Sequence, residues 1–156
     1  MSNPYTLLTD AIAAQVSDLS FYGGPKNWNV ATETKGDIGS LLDRVVAQSE
    51  GLGCYILTAS GQPGEVSPRG ELIVVALEVM INETYTQSDE GKRVSAMDLI
   101  WAIKQALVID RAWAESTGYQ LVDRGWSVAQ KGMDDAPALA VYEMQFDTQM
   151  IFTPAT

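Results

Sequence analysis

The sequence predicts an α+β fold in which a mostly antiparallel β-sheet of about four main strands packs against two to three helices. Apolar residues make up 46% of the 156 residues and charged residues only 19%, which is enough apolar material for a packed core. Some segments carry apolar residues at helical spacing and others alternate apolar with polar residues. Most predicted strands are joined by loops rather than helices, which favours antiparallel pairing. The length fits a single domain over residues 1–156.

Two helices are predicted near the beginning of the chain. The first starts at Asn3, a favoured N-cap, with Pro4 at the first helical position. Its apolar residues follow at spacings of four, four and three, which places Leu8, Ile12, Val16 and Leu19 on one stripe. Asp37 or Ser40 is expected to cap the second helix, which runs through Ser49.

The segment between these helices, residues 22–36, is predicted to be a polar loop that holds one large apolar residue, Trp28. Loops of this length are often binding elements. Trp28 therefore either contacts a partner or folds back onto the core. Because a binding loop lies outside the core, deletion of residues 26–34 is expected to leave the monomer folded.

Two strands are predicted next, over residues 53–59 and 71–85, with an exposed loop at 61–70 between them. The second strand is apolar on both faces at first and becomes polar on one face from Glu78. Such a strand is central, or its second face is covered by a helix or by a neighbouring subunit. Cys54 lies in an apolar run and is expected to be a buried thiol.

The third helix is the most clearly signalled. Ser95 and Asp98 have the spacing of a capping box, and the apolar stripe that follows is broad. Trp101 on this helix is expected to lie in the core. Residues 119–130 and 139–153 then form a closing pair of strands joined by a turn at 131–137, and the last of them alternates buried with solvated positions.

The composition excludes several kinds of chemistry. With no histidine and one cysteine, the chain cannot hold a Ser-His-Asp triad, a Cys-His pair, an ordinary zinc site or an internal disulfide. Glycines near Lys26 and Asp37 lack the spacing of phosphate-binding and dinucleotide-binding loops. The sequence therefore predicts none of these sites.

The charge balance limits the possible partners. The chain has 20 acidic and 10 basic residues, a formal charge of −10, and its basic residues are scattered. Tight nucleic-acid binding and attachment to anionic membranes both depend on clustered Lys and Arg. The N-terminus lacks the basic start of a secretory signal, and no apolar run has the length of a membrane helix. We expect a soluble protein of the cytoplasm.

The order of elements resembles that of a known family. Two N-terminal helical segments precede a strand and a loop rich in proline and glycine, followed by the long strand LIVVALEVMI. The helix SAMDLIWAIKQAL comes next, and the last strand ends in YEMQFDTQMIF. Over nearly the whole chain, this arrangement is similar to that of the tail terminator and tail completion proteins of long-tailed bacteriophages. The likeness is greatest to the Mu-like family and more distant to the minor tail protein U of phage lambda.

The resemblance implies a structural virion protein with no catalysis and no cofactor. Such a protein forms a homo-oligomeric ring of six copies that caps the head-proximal end of the tail tube, stops tail polymerisation and joins the head. Its partners are the tail tube protein, the tail sheath and head–tail connector proteins, and it assembles in the host cytoplasm. Genomic DNA passes through the ring without specific binding, and acidic side chains on the lumen would repel its phosphates.

The contact elements of such a ring are expected in exposed loops, because loops carry function on a rigid scaffold. The loops concerned are residues 22–36, 61–70 and 131–137. The residues singled out as subunit or partner contacts are Lys26, Trp28, Arg69, Arg93, Asp134 and Asp135.

Three alternatives remain open from the sequence. A head–tail connector or neck protein would also form a ring without chemistry. The adjacent carboxylates Asp89–Glu90 and Asp134–Asp135 are either solvated surface or, since magnesium needs only one or two carboxylates, the site of a small metal-dependent hydrolase. A small-ligand binder with Trp28 over an apolar pocket is the third.

Overall fold

The computed structural model describes residues 3–19, 28–47, 51–64, 69–82, 95–133 and 136–152, and over these ranges it confirms the α+β class. One mixed sheet carries helices on both faces. The helices are α1 (Pro4–Ser17), α2 (Ile38–Ala47), α3 (Ala96–Lys104) and α4 (Arg111–Thr117). The strands are β1 (Trp28–Thr32), β2 (Leu52–Pro63), β3 (Gly70–Asn82), β4 (Val122–Met133) and β5 (Ala136–Ile151).

The strands follow the spatial order β1-β2-β3-β5-β4. β1 and β2 are parallel and are connected through α2, whereas the other three pairings are antiparallel. The predicted long strand, β3, is the central strand. Its central position explains why both of its faces begin with apolar residues, because a strand with a neighbour on each side is less exposed to solvent than an edge strand.

The main core lies between the inner face of the sheet and the helices α1 and α3. Alternate residues of β3 point inward and are fully buried, as the strand period of two requires. They are Ile73, Val75, Leu77, Val79 and Ile81. The predicted stripes on α1 and α3 pack against them through residues such as Ile12 and Ile103. Cys54 is buried here as expected, and burial raises the pKa of its thiol, which leaves it unreactive.

On the outer face, α2 covers only one end of the sheet. Leu41 and Val45 of α2 pack against Met80 and Leu139 of the central strands. Gly53 lies directly beneath the helix, since a Cβ placed there would be 2.7 Å from Cγ2 of Val45. The helix therefore approaches the sheet more closely than any side chain at this position would allow.

The predicted helix starts are confirmed by their hydrogen bonds. Oδ1 of Asn3 accepts from the backbone N–H of Thr6, and Oδ1 of Asp37 accepts from that of Ser40. At α3 the capping box with Asp98 is complete in both directions, as the spacing from Ser95 predicts. Beyond α3, a π-helical segment, Gln105–Ile109, leads into α4.

The prediction of a loop over residues 22–36 is wrong for its middle part. Residues 28–32 form β1, which pairs with residues 52–56 of β2. Trp28 and Val30 pack against the main core, whereas Ala31 faces α2. Deletion of residues 26–34 would remove this strand together with a core aromatic residue, so the expected dispensability of this segment is also wrong.

Several other boundaries differ from the predictions. The predicted loops at 61–70 and 131–137 are shorter, because β2 extends through Pro63 and β4 through Met133. The sheet has five strands rather than about four, and α4, capped by Asp110, was not predicted. The closing strands are each displaced from the predicted bounds by two or three residues.

Candidate functional site

Two of the six predicted contact residues lie in the described ranges. Trp28 is half-buried on β1, and its Nε1 donates to the carbonyl oxygen of Val16 at 2.9 Å. Arg69 is exposed just before β3, and its carbonyl oxygen accepts from the N–H of Phe152. They lie at opposite ends of β2, so the structure does not bring them together.

The other predicted contact residues fall outside the described ranges. They are Lys26, Arg93, Asp134 and Asp135, and the carboxylate pair Asp89–Glu90 also lies there. For Trp28, the structure favours the interpretation in which the indole folds back onto the core. Its contribution to a partner contact stays a prediction.

The most exposed aromatic residues lie elsewhere, on α3 and β4. We call this surface the aromatic edge, and it comprises Met97, Trp101, Trp126 and Val128. Their side chains are 46%, 53%, 42% and 51% exposed, respectively. Trp101 is thus on the surface, and the expectation that it lies in the core is wrong. Trp113, by contrast, is buried.

Two features bring these residues to one side of the molecule. Met97, Trp101 and Lys104 are spaced at i, i+4 and i+7, so they form a single stripe along α3. Nζ of Lys104 lies 2.9 Å from Oδ2 of Asp123, which ties the end of this stripe to the beginning of β4. Partial burial raises the pKa of Asp123, but Lys104 and the N–H of Gly125 outweigh it and hold the pKa below its usual value.

On β4, an irregularity determines where Trp126 points. The pairing of β4 with β5 shifts between Asp123 and Trp126, and Gly125 between them has a φ of 100°. This left-handed conformation suits glycine and is typical of a bulge. Trp126 therefore pairs opposite Met144, and its ring lies 6.1 Å from that of Tyr142. The indole rests on the core with one side toward solvent.

The second surface is the part of the outer sheet face that α2 leaves uncovered, and we call it the open sheet face. No helix in the described part of the chain packs on it. It consists of four rows of cross-strand neighbours, Tyr55–Glu78–Glu143–Ser127, Leu57–Ala76–Gln145, Ser60–Val74–Asp147–Val122 and Gln62–Leu72–Gln149. In its middle, Leu72, Val74 and Ala76 of β3 are apolar and the facing residues of β5 are polar, and Val122 is exposed at its border.

Two carboxylates lie side by side at the centre of this face. Glu78 and Glu143 are direct cross-strand neighbours on β3 and β5, and both are half-buried. Burial and the charge of Glu143 raise the pKa of Glu78. Glu143 accepts a hydrogen bond from Nε2 of Gln145, and no Lys or Arg in the described ranges contacts either carboxylate. Like charges directly opposite on a sheet are destabilising, so the isolated chain carries an unfavourable pair here.

Two ion pairs near these surfaces lie within the chain. NH1 of Arg124 lies 3.0 Å from Oδ2 of Asp147, whose side chain is nearly buried on the open sheet face. Asp123 pairs with Lys104, and Asp110 caps α4. Asp123 and Arg124 therefore both make contacts within the chain.

The sequence does not identify the aromatic edge as a site, although two of its features indicate an exposed apolar surface. The apolar stripe of α3 is broader than one sheet face needs, and the excess is Met97 and Trp101 on the surface. The sequence also contains four tryptophans, a residue type enriched at interfaces, and two of them are strongly exposed. The exposure of Trp126 depends on the bulge at Gly125, which the sequence pattern does not reveal.

Comparison with known proteins adds no assignment, because neither a protein-family model nor a curated protein matches this sequence. Among the described residues, no group of three or more His, Cys, Asp or Glu side chains is arranged to hold a metal ion. Within the same ranges, no helix combines the length and the apolar character needed to cross a bilayer.

Proposed function

We propose that this protein is a structural virion protein, a tail terminator that forms a ring of six copies at the head-proximal end of a phage tail tube. There it stops tail polymerisation and provides the surface to which the head is joined. The observation that carries this proposal is the presence of two separate, partly apolar surfaces, the aromatic edge and the open sheet face, on one small domain with a full core.

Ring formation requires two different surfaces on each subunit. In a head-to-tail contact, one surface of a copy meets another surface of the next, and the series closes when the rotation between copies completes a circle. Exposed tryptophans in contact with a core are the usual energetic anchors of such contacts. The sequence predicts that β3 is central or that its second face is covered by a helix or a neighbouring subunit; β3 is central, and α2 covers only part of its outer face.

The resemblance to tail terminators supports the specific role. It rests on the order of elements over nearly the whole chain. The long strand, the helix and the closing strand pair correspond to β3, α3 and the pair β4 and β5, whereas β1 lies between the two N-terminal helices. A closed ring stops growth because its lateral contacts are satisfied within the ring. Its two ends are chemically different, so one can meet the tail tube and the other the head connector.

Electron microscopy of the purified protein in negative stain tests the proposal. We expect closed rings with six-fold symmetry and a central channel wide enough for duplex DNA. Open filaments, discrete dimers or single subunits at high protein concentration would contradict it.

Calorimetric titration with magnesium and manganese separates this proposal from a metal-dependent hydrolase. A structural ring protein is expected to give only weak, non-saturating heats. A specific site with micromolar affinity would favour the enzyme, and substitution of Asp134 and Asp135 by Asn would then be expected to abolish it.

A further inference from the structure

We infer that the open sheet face of one copy receives the aromatic edge of the next copy, with Lys131 of the incoming edge placed against Glu78 and Glu143. This inference rests on the proposed ring and specifies which surfaces meet within it. The occupant is a second copy of this chain.

The first argument is the chemistry of the edge. Trp126, Val128 and Lys131 pair opposite Met144, Tyr142 and Ala140, so all three lie on the same side of β4. Lys131 is exposed, and no carboxylate in the described ranges contacts its amine. The edge therefore combines large apolar side chains with an available cation.

The second argument is the matching chemistry of the open sheet face. Leu72, Val74 and Ala76 form an apolar column along β3 that leads to the pair of Glu78 and Glu143, whereas the facing β5 residues are polar. An arriving ammonium group would offset the mutual repulsion of the two carboxylates while the aromatic side chains cover this apolar column. Opposite charges that flank an apolar contact fix its orientation and exclude incorrect partners.

The third argument is that the two surfaces lie on different sides of the sheet. The aromatic edge belongs to the inner layer, at the end of the sheet formed by β4, whereas the open sheet face belongs to the outer layer. One copy can therefore donate its edge and receive a neighbour's edge at the same time, as a head-to-tail contact requires.

The variant Glu78→Gln gives a signature that a purely structural role would not produce. Removal of one of two repelling carboxylates is expected to raise the melting temperature of the monomer. The same variant should weaken assembly at neutral pH by about fivefold to tenfold, because the face loses half of its attraction for Lys131. If assembly is unchanged or strengthened while the melting temperature rises, the contact is wrong.

Charge reversal supplies the second test. Lys131→Glu should weaken assembly by tenfold or more, whereas Arg111→Glu, the same change of charge on α4, should leave it near the wild-type value. The double variant Lys131→Glu with Glu143→Lys should recover most of the lost affinity. The association is measured by sedimentation velocity, and the fold of each variant by circular dichroism.

The outcomes separate the two proposals. If the wild-type protein forms rings and both Lys131→Glu and Glu78→Gln assemble normally, this contact is overturned and the ring is retained. If single variants weaken assembly but the double variant does not recover, the pairing of Lys131 with Glu143 is overturned. A wild-type chain that never self-associates removes both the contact and the ring.

Discussion

At the scale of single residues, Gly53 determines how closely α2 lies on the sheet. A Cβ at this position would lie 2.7 Å from Cγ2 of Val45 and 3.2 Å from Cδ1 of Leu41. Gly53→Ala should therefore lower the free energy of unfolding by about 1–3 kcal/mol, the usual cost of an overpacked core. Denaturant unfolding of the purified variant measures this change.

A double variant tests whether overpacking against α2 causes the destabilisation by Gly53→Ala. Val45→Ala removes the methyl group nearest the new Cβ, although on its own it leaves a cavity. The loss in the double variant Gly53→Ala with Val45→Ala should be smaller than the sum of the two single losses by at least about 0.5 kcal/mol. If the losses of unfolding free energy were strictly additive, the contact between α2 and residue 53 would not be the cause of the destabilisation by Gly53→Ala.

The pair of Glu78 and Glu143 predicts a pH dependence of stability. The pKa of Glu78 is raised above its ordinary value of 4.5, so the folded state binds a proton more readily than the unfolded state. Stability from this group is therefore present below the unfolded pKa and is lost as the pH rises through the folded pKa.

Glu78→Gln removes the loss of stability that the wild-type protein shows as the pH rises. At pH 7 it should raise the free energy of unfolding by about 0.2–1 kcal/mol, the range for like-charged cross-strand pairs. Below pH 4.5 the advantage over the wild-type protein should disappear, because the carboxyl group is then protonated in both states. Thermal unfolding at several pH values measures the difference. A stability advantage of Glu78→Gln over the wild-type protein that grows toward low pH would contradict this explanation.

At the scale of secondary-structure elements, the capping box fixes where α3 begins. Oγ of Ser95 accepts from the N–H of Asp98 at 3.1 Å, and Oδ2 of Asp98 accepts from the N–H of Ser95 at 3.0 Å. Ser95→Ala should lower the free energy of unfolding by about 1 kcal/mol. Ser95→Thr keeps the acceptor and should lose much less, so equal losses in chemical denaturation would argue against the cap.

The aromatic edge predicts a separation of assembly from stability. Trp101 is 53% exposed on α3 and Leu7 is 50% exposed on α1, so the two positions form a matched pair. Trp101→Ser and Leu7→Ser should each change the free energy of unfolding by less than about 1 kcal/mol. Only Trp101→Ser should weaken association, by about tenfold or more in sedimentation velocity. Equal behaviour of the two variants in association would remove the edge from the interface.

The elements with strong local signals were predicted from the sequence, and those fixed by tertiary contacts were not. Helix starts depend on residues a few positions apart, so Asn3, Asp37 and Ser95 could be identified directly. β3 could be predicted to be central or to be covered on its second face, because both of its faces begin with apolar residues. The residues WNVAT of β1, by contrast, form a strand because β2 lies beside them in parallel, and that pairing depends on the crossover through α2.

The same reasoning explains the incomplete prediction of the site. The sequence shows an excess of apolar residues on α3, but periodicity alone cannot distinguish a second packing surface from a wider core. Trp101 was therefore placed in the core although it is exposed. The facing of Trp126 depends on the bulge at Gly125, and the adjacency of Glu78 and Glu143 depends on the register of β3 with β5. Neither is visible in the local pattern.

At the scale of the whole molecule, α1 and α3 pack on the inner face of the sheet, and α2 covers only part of the outer face. The chain also carries exposed tryptophans at the end of the sheet where β4 lies. These two surfaces differ from each other, which favours a head-to-tail contact over a symmetric dimer. A net charge of −10 opposes non-specific association, so self-assembly requires specific contacts such as those between the edge and the open face.

Sedimentation velocity over a hundredfold range of concentration tests self-assembly into a closed ring most directly. The account predicts a discrete hexamer beside the monomer, with few species of intermediate size, because closure satisfies every lateral contact at once. A monomer at every concentration, or a continuous series of growing oligomers, would contradict it.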